Sequence, residues 1–231
     1  MQLLGYLKLN YYEELKAARK DCESLFFAQD EDYLKLISLV RKALPKAILS
    51  IENECHIDKY KQALLASFIR TSFVSIELII NSELIEAITL LRKQIELIAR
   101  LRELDQFEHE ELKKKNKPPN VKYLKTHLKK LYSPYSDGAH STTYASHSLL
   151  GFYEDTEKKR HIMCPEFTKN TEVIFDNWLW VFFEFTLWVL EYKVEHAEGY
   201  SQEADEAEYE KIFLIYKNSS IKGKFVGKHG N

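Results

Sequence analysis

The sequence predicts an all-α protein, a single-domain helical bundle of seven to eight helices. Apolar residues recur at spacings of three and four over most of the chain, which is the period of an amphipathic helix. Glycine and proline are scarce, with 7 and 5 of 231 residues, so long helices with few tight turns are expected. The segment near 151–163 departs from this pattern and is expected to be a connector that could form a short β-hairpin.

Amphipathic spacing predicts the first helix, and capping residues predict the starts of the second and third. An amphipathic helix is expected over 10–28, and Asp30 is positioned to cap the second helix. Pro45 has no backbone N–H, so it is expected to kink or restart that second helix. Asp58 is the expected cap of a third helix that runs over 59–80.

The fourth helix is expected to be the longest, over 83–115, with its cap supplied by the Asn81–Ser82 pair. The Pro118–Pro119 pair is expected to end it, because a residue before proline avoids the helical conformation. A fifth helix is expected over 121–131, and Ser133–Pro134 should stop it.

Three more helices complete the expected bundle. The sixth should begin near Ser136 and end near Leu149, and the seventh should begin at a Thr171 cap and end near His196. The eighth is expected over 202–217. 

The expected organisation has three parts. N-terminal helices over 1–57 pack on the core, a core bundle covers 58–217, and a glycine- and lysine-rich tail over 218–231 is flexible.

An apolar stretch of fifteen residues runs from Trp178 to Tyr192 and is interrupted by Glu184. It is shorter than the roughly 18 to 20 apolar residues that cross a bilayer, so membrane insertion is not expected. A helix that is apolar on nearly every face belongs at a bundle centre or a subunit interface. Because its aromatic side chains exceed what one helix can bury in its own domain, a homodimer is expected.

Composition points to a soluble cytoplasmic protein. The charged fraction is 29% and the formal net charge −2, which excludes a disordered chain or one globally adapted to nucleic acid. Three widely spaced cysteines without a CxxC pair indicate reduced thiols, and the N-terminus has no signal-peptide pattern. Neither a metal nor another cofactor is expected, because no histidine has a partner at metal-ligand spacing and no glycine-rich phosphate loop occurs.

Arg92, Glu96 and Arg100 lie at four-residue spacing, so they should stack along one face of the fourth helix. The positions around them are apolar on several sides, which predicts partly buried and paired charges. A guanidinium held in this way can bind a phosphate or carboxylate through two hydrogen bonds. The alternative is a solvated ion-pair ladder, and both interpretations stay open.

A second polar constellation contains Tyr132, Tyr135, Ser136 and His140. Ser136 is a suitable cap for the sixth helix, which would place His140 one turn inside its N-terminus. The helix dipole disfavours a cationic histidine there, and a neutral imidazole can act as a general base. The alternative is a capping serine and a histidine that only hydrogen-bonds across the bundle.

A lysine-rich segment lies directly upstream. Residues 113–130 contain eight lysines and no acidic residue, and Lys122, Lys125 and Lys129 are the candidate ligand contacts. Such a run is either a solvated surface or an electrostatic footprint for a phosphate backbone. The acidic run 195–210 could balance it within the fold or across a dimer.

The segments 90–104 and 132–141 together resemble a widespread bacterial family of helical proteins of unknown function. That family shows an R-x3-E motif followed by a loop and helix with the pattern Y-x3-S-x3-H. Arg92 and Glu96 match the first motif. The second motif is matched by Tyr132, Ser136 and His140.

Such proteins are similar in outline to HEPN-type helical domains, many of which are dimeric ribonucleases of toxin and antiphage systems. The resemblance implies an all-α fold, a homodimer and RNA as a ligand. HEPN nucleases carry their arginine and histidine on one helix, whereas Arg92 and His140 lie on different helices here. Arg102 and His109 share a helix but fit the HEPN pattern poorly.

The resulting expectation is a cytoplasmic bacterial protein of the defence or toxin type, acting as a metal-independent ribonuclease or a binder of a phosphate-bearing ligand. Arg92 and Arg100 would hold a phosphate, Glu96 would orient Arg92, and His140 would act as the base. RNA or a nucleotide is the expected ligand, with a partner protein from the same defence system. The rivals are a non-catalytic helical interaction module and a membrane-active effector built on 178–192.

Overall fold

A computed structural model of the chain describes residues 2–107, 112, 118–139 and 164–223, and within them no strand occurs. The expected all-α class is therefore confirmed, while the hairpin expected near 151–163 lies outside the described residues. The α-helices described, in chain order, are α1 (Gln2–Gln29), α2 (Glu31–Glu54), α3 (Lys59–Ile80), α4 (Leu84–Leu104), α5 (Tyr132–Ala139), α6 (Lys169–His196) and α7 (Glu203–Asn218). Two short 3-10 helices, Val121–Tyr123 and His127–Lys130, lie between α4 and α5.

Two helix starts follow the expected caps, whereas the cap expected from Asn81–Ser82 is wrong, because α4 begins after Glu83 without a side-chain cap. The Asp30 carboxylate accepts the amide of Asp32 at 2.9 Å, and the Asp58 carboxylate accepts two amides of the first turn of α3. The cap of α6 is Thr168, three residues earlier than expected, and Thr171 completes a capping box with it. These contacts satisfy amides that the helices themselves leave without acceptors.

The expected restart of α2 at Pro45 is wrong, since α2 continues through this residue as one helix. Proline removes one backbone hydrogen bond from a helix interior, which is costly. The flanking side chains Leu44 and Ala47 are buried against the core. Packing of this face therefore holds the helix together across the missing bond.

α6 is the central helix of the bundle and packs against α2, α3, α4 and α7. Its largest aromatic side chains are buried within the protomer, with Trp178 and Trp188 each 1% exposed and Phe185 fully buried. The argument that these aromatics require a second subunit is therefore wrong. Whether the chain forms a homodimer stays a prediction.

Two of the described helices, α3 and α6, are long and apolar enough to cross a membrane by length and composition alone. The apolar window of α6 is 83% buried by the rest of the protein and that of α3 is 50% buried. The core helix of a soluble protein passes the same test, so the burial of α6 matches a core position.

α4 ends at Leu104, earlier than the expected end at 115. Asp105 follows it and is held by two residues of other helices. Its carboxylate forms an ion pair with Lys61 at 2.8 Å and accepts the indole N–H of Trp188 at 2.7 Å. These contacts fix the chain where it leaves α4, and they could not be seen in the helical periodicity.

One apolar core runs from α1 to the residues that follow α7. Ile221 is fully buried, and the amide of Ser220 donates to the Asp30 carboxylate at 2.7 Å. The first residues of the segment expected to be a flexible tail are therefore packed. Residues 224–231 lie outside the described residues.

Candidate functional site

The segment between α4 and α5 does not form the helix expected over 121–131. It contains the two 3-10 helices instead, separated by extended backbone at Leu124. The Glu184 side chain of α6 accepts the backbone amides of Lys125 at 3.0 Å and Thr126 at 2.7 Å. An α-helix would need these two amides for its own hydrogen bonds, so the contact with Glu184 explains the irregular conformation.

Glu184 is fully buried, and its charge is balanced by Arg102 of α4. Arg102 donates from Nε to Glu184 at 2.9 Å and from Nη1 to Glu191 at 2.7 Å. A buried carboxylate is tolerated when it is paired and its oxygens accept hydrogen bonds, and Glu184 meets both conditions. Arg102 and Glu184 thus fix the segment 118–131 to α4 and α6.

The exposed lysines of this segment form what we call the lysine strip: Lys122, Lys125, Lys129 and Lys130. Lys125 pairs with Glu191 at 2.7 Å. Among the described residues no carboxylate lies within ion-pair distance of the other three. The candidate ligand contacts Lys122, Lys125 and Lys129 are therefore all exposed on one short segment, whereas 113–117 lies outside the described residues.

The lysine strip leads directly into α5, where Tyr132 meets α4. The Tyr132 hydroxyl donates to Glu96 Oε1 at 2.9 Å, and Arg92 Nε donates to the same oxygen at 3.2 Å. The guanidinium carbon of Arg92 lies 5.4 Å from the centre of the Tyr132 ring, within cation–π range. The structure thus brings together three of the candidate site residues.

Arg92 is held as a cation in this arrangement. The hydrogen bond with the Tyr132 hydroxyl is the largest effect and raises the pKa of Arg92; burial opposes it, and the charge of the Glu96 carboxylate raises the pKa further. Its side chain is 27% exposed, so solvent reaches the guanidinium. Arg100, expected to continue the same ladder, pairs instead with Glu103 at 3.0 Å.

The remaining candidates of the second constellation lie in the core, within α5 or outside the described residues. Tyr135 is buried and accepts a hydrogen bond from Asn177 of α6 at 2.6 Å, so it faces the core. Because α5 begins at Tyr132, Ser136 lies inside the helix and is not its cap. His140 lies outside the described residues.

His127 is a titratable group of the segment that the sequence reasoning set aside. Its ring packs edge-on against Trp180 of α6, with ring centres 4.3 Å apart. Burial, followed by the charge of Lys130, lowers the pKa of His127. Within the part of the chain that the structure describes, no group of three acidic, cysteine or histidine side chains could hold a metal ion.

Sequence reasoning missed the Arg102–Glu184 pair. Glu184 was visible as a single charge inside an apolar stretch, and such a charge needs a buried partner. Arg102 lies on the apolar face of α4, which is the matching signal. The two residues are 82 positions apart, so the pairing itself required the three-dimensional structure.

Comparison of the chain with known protein families, with curated proteins and with solved structures gives no match.

Proposed function

We propose that the chain binds RNA through the lysine strip, with Arg92 as a further phosphate contact, as a cytoplasmic bacterial protein of the defence or toxin type. The observation that carries the proposal is the surface at 118–131. It exposes four lysines, carries no carboxylate of its own, and is fixed from behind by Glu184. Exposed lysines carried on a fixed backbone segment bind a phosphate backbone largely independently of sequence.

Arg92 extends this surface toward α5. Lys130 precedes Tyr132 by two residues, and Tyr132 touches both Glu96 and Arg92. The ion pair with Glu96 uses Arg92 Nε, and the side chain is still 27% exposed, so a phosphate can approach it from solvent. The defence or toxin setting rests on the family resemblance alone.

Metal-independent ribonuclease activity is the stronger form of the proposal, with Arg92 stabilising the phosphate and His140 as the base. Arg92→Gln and His140→Ala should each abolish RNA degradation in the presence of EDTA while leaving the melting temperature nearly unchanged. Wild-type protein that leaves RNA intact would remove the ribonuclease proposal and leave RNA binding untouched.

RNA binding is tested with fluorescence anisotropy on a labelled single-stranded RNA. The strip variant replaces by glutamine three lysines that form no ion pair with a described residue: Lys122→Gln, Lys129→Gln and Lys130→Gln. A control variant makes the same change in charge at exposed lysines of α1, α2 and α3: Lys20→Gln, Lys42→Gln and Lys59→Gln.

The strip variant should bind RNA about tenfold more weakly than wild type or worse, whereas the control variant should stay within about twofold. Equal losses in both variants would mean that only net charge matters, and the proposal would fail.

A non-catalytic interaction module is a second candidate, favoured by one observation. Arg92, Glu96 and Tyr132 join α4 to α5, which is the role of a polar contact between helices. Two results together would favour the interaction module over RNA binding. The wild-type protein would not bind RNA, and Arg92→Gln and Tyr132→Phe would each unfold at a markedly lower temperature. A membrane-active effector would have to expose α6, which the core buries.

A further inference from the structure

An apolar groove of about 460 Å³ lies on the surface between α6 and α7. Its α6 side carries Trp180, Phe183, Leu187 and Leu190, which recur at three- and four-residue spacing and so form one face. The first and last of these are ten positions apart, a length of about 15 Å along the helix. The groove is therefore long enough for two to three turns of another helix.

The apolar floor of the groove includes Trp180 and Thr186, whose polar atoms already have hydrogen-bond partners. The indole N–H of Trp180 donates to the Tyr216 hydroxyl at 2.9 Å. The Thr186 hydroxyl donates to the carbonyl of Phe183 at 2.9 Å. A ligand on this floor would bind by packing rather than by hydrogen bonding.

Two large apolar side chains of the groove remain exposed, Leu187 at 40% and Phe213 at 38%. They lie on opposite sides, one on α6 and one on α7, and they border the same depression. Paired exposed apolar residues around a concave surface are typical of a helix-binding groove.

The α7 edge of the groove is acidic. Glu206 and Glu210 line it, one turn apart. No cation forms an ion pair with either of them among the described residues, and Glu206 accepts only from the neutral side chain of Gln202. Two uncompensated carboxylates beside an apolar floor favour a cationic occupant.

Charge also argues against other molecules that could bind in the groove. A second copy that paired the same face with itself would bring acidic edges together, which costs affinity. RNA is repelled by the same edge. The lysine strip of another copy has the right charge, but its apolar residues Leu124, Leu128 and Leu131 are buried in their own fold.

We propose that the α6–α7 groove binds an amphipathic helix of a partner protein, with apolar anchors on its floor and lysine or arginine side chains against Glu206 and Glu210. This proposal is independent of RNA binding. It concerns a groove whose edge has the opposite charge to the lysine strip, and the two surfaces adjoin where Trp180 packs against His127.

The probe is a fluorescein-labelled peptide of about 14 residues with leucines at i, i+4, i+7 and i+11 and lysines along both sides of that stripe. A control peptide has the same composition in an order that breaks the stripe. The chain should bind the striped peptide saturably, with a Kd on the order of 10 μM, and the control peptide at least about tenfold more weakly.

Two apolar variants test the exposed apolar sides of the groove. Leu187→Ser and Phe213→Ser should each weaken binding of the striped peptide by about tenfold. Leu34→Ser, at an exposed leucine of α2 away from the groove, should leave binding unchanged. Using two positions on different helices guards against a variant that simply fails to fold.

A third variant tests the acidic edge. Glu206→Gln with Glu210→Gln should weaken binding by about tenfold at low salt and much less at high salt, since salt screens these charges. Glu23→Gln with Glu52→Gln makes the same change in charge elsewhere and should have no effect.

Three results would overturn the proposal: equal binding of both peptides, equal binding by Phe213→Ser and Leu34→Ser, or a self-association in sedimentation that Leu187→Ser abolishes. The last would assign the groove to a second copy. Failure of RNA binding, measured separately, would leave the groove proposal unaffected.

Discussion

Arg102 of α4 donates from Nε to Glu184 of α6 across 2.9 Å in the interior of the bundle, where Arg102 is 5% exposed and Glu184 is fully buried. The same carboxylate accepts the amides of Lys125 and Thr126. One ion pair therefore connects two core helices and determines the path of the segment that carries the lysine strip.

Removing the cation of this pair should be costly. Arg102→Met leaves Glu184 charged in the core and should lower the free energy of unfolding by about 3–5 kcal/mol, measured by urea denaturation. Arg41→Met breaks the more exposed Arg41–Glu77 pair and should cost less than about 1 kcal/mol. Similar losses in the two variants would show that Glu184 does not depend on Arg102.

Tyr132 should stabilise the α4–α5 contact through its hydroxyl. Tyr132→Phe keeps the ring against Arg92 and removes only the hydrogen bond to Glu96, so it should cost about 0.5–1.5 kcal/mol. In a Glu96→Gln background the same change should cost less, because the charged acceptor is gone. Purely additive losses in this double-mutant cycle would contradict the contact.

The lowered pKa of His127 predicts that the stability of the protein depends on pH. The unfolded side chain titrates near pH 6.5, whereas burial and then Lys130 lower the pKa of the folded one, only partly opposed by Glu184. As the pH falls, the unfolded chain takes up the proton first, so this contribution to stability is complete above about pH 6.5 and is lost progressively below it.

The test compares unfolding free energies between about pH 7.5 and pH 5. Wild type should lose more stability over this range than His127→Gln, while His56→Gln, at an exposed position, should behave like wild type. A pKa of His127 at or above 6.5, read from its NMR titration, would show that His127 does not cause the pH dependence of stability.

Asp105 should be needed to hold the end of α4. Asp105→Ala strands the buried Lys61 ammonium and the indole N–H of Trp188, and should lower stability by about 3 kcal/mol. Asp21→Ala, at an exposed residue of α1, should change it by less than about 0.5 kcal/mol. Denaturation followed by tryptophan fluorescence measures both, and equal stabilities would contradict the assigned role.

The helices whose ends depend on local chemistry were predictable. Asp30 and Asp58 accept amides two and three residues ahead, and this relationship is visible in the sequence itself. The boundary at Asp105 and the irregular segment 118–131 depend on α6 residues distant in the chain. Local periodicity carries no information about such partners, so a helix was expected where Glu184 takes the amides.

In the candidate site too, one contact was predictable from the sequence and the others were not. Arg92 and Glu96 are one turn apart, so their pairing followed from spacing. The addition of Tyr132 depends on how α5 packs against α4, and the pairing of Arg100 with Glu103 depends on a competition that spacing alone does not decide. The family resemblance named Tyr132 without indicating that its hydroxyl would meet Glu96.

The salt dependence of RNA binding tests the central claim most directly. For single-stranded RNA, the slope of log K against log salt is about −0.7 for each phosphate that the protein neutralises. Changing Lys122, Lys129 and Lys130 to glutamine should therefore make the slope shallower by about 2, whereas the control variant at Lys20, Lys42 and Lys59 should keep the wild-type slope. A strip variant with the wild-type slope would contradict RNA binding at the lysine strip.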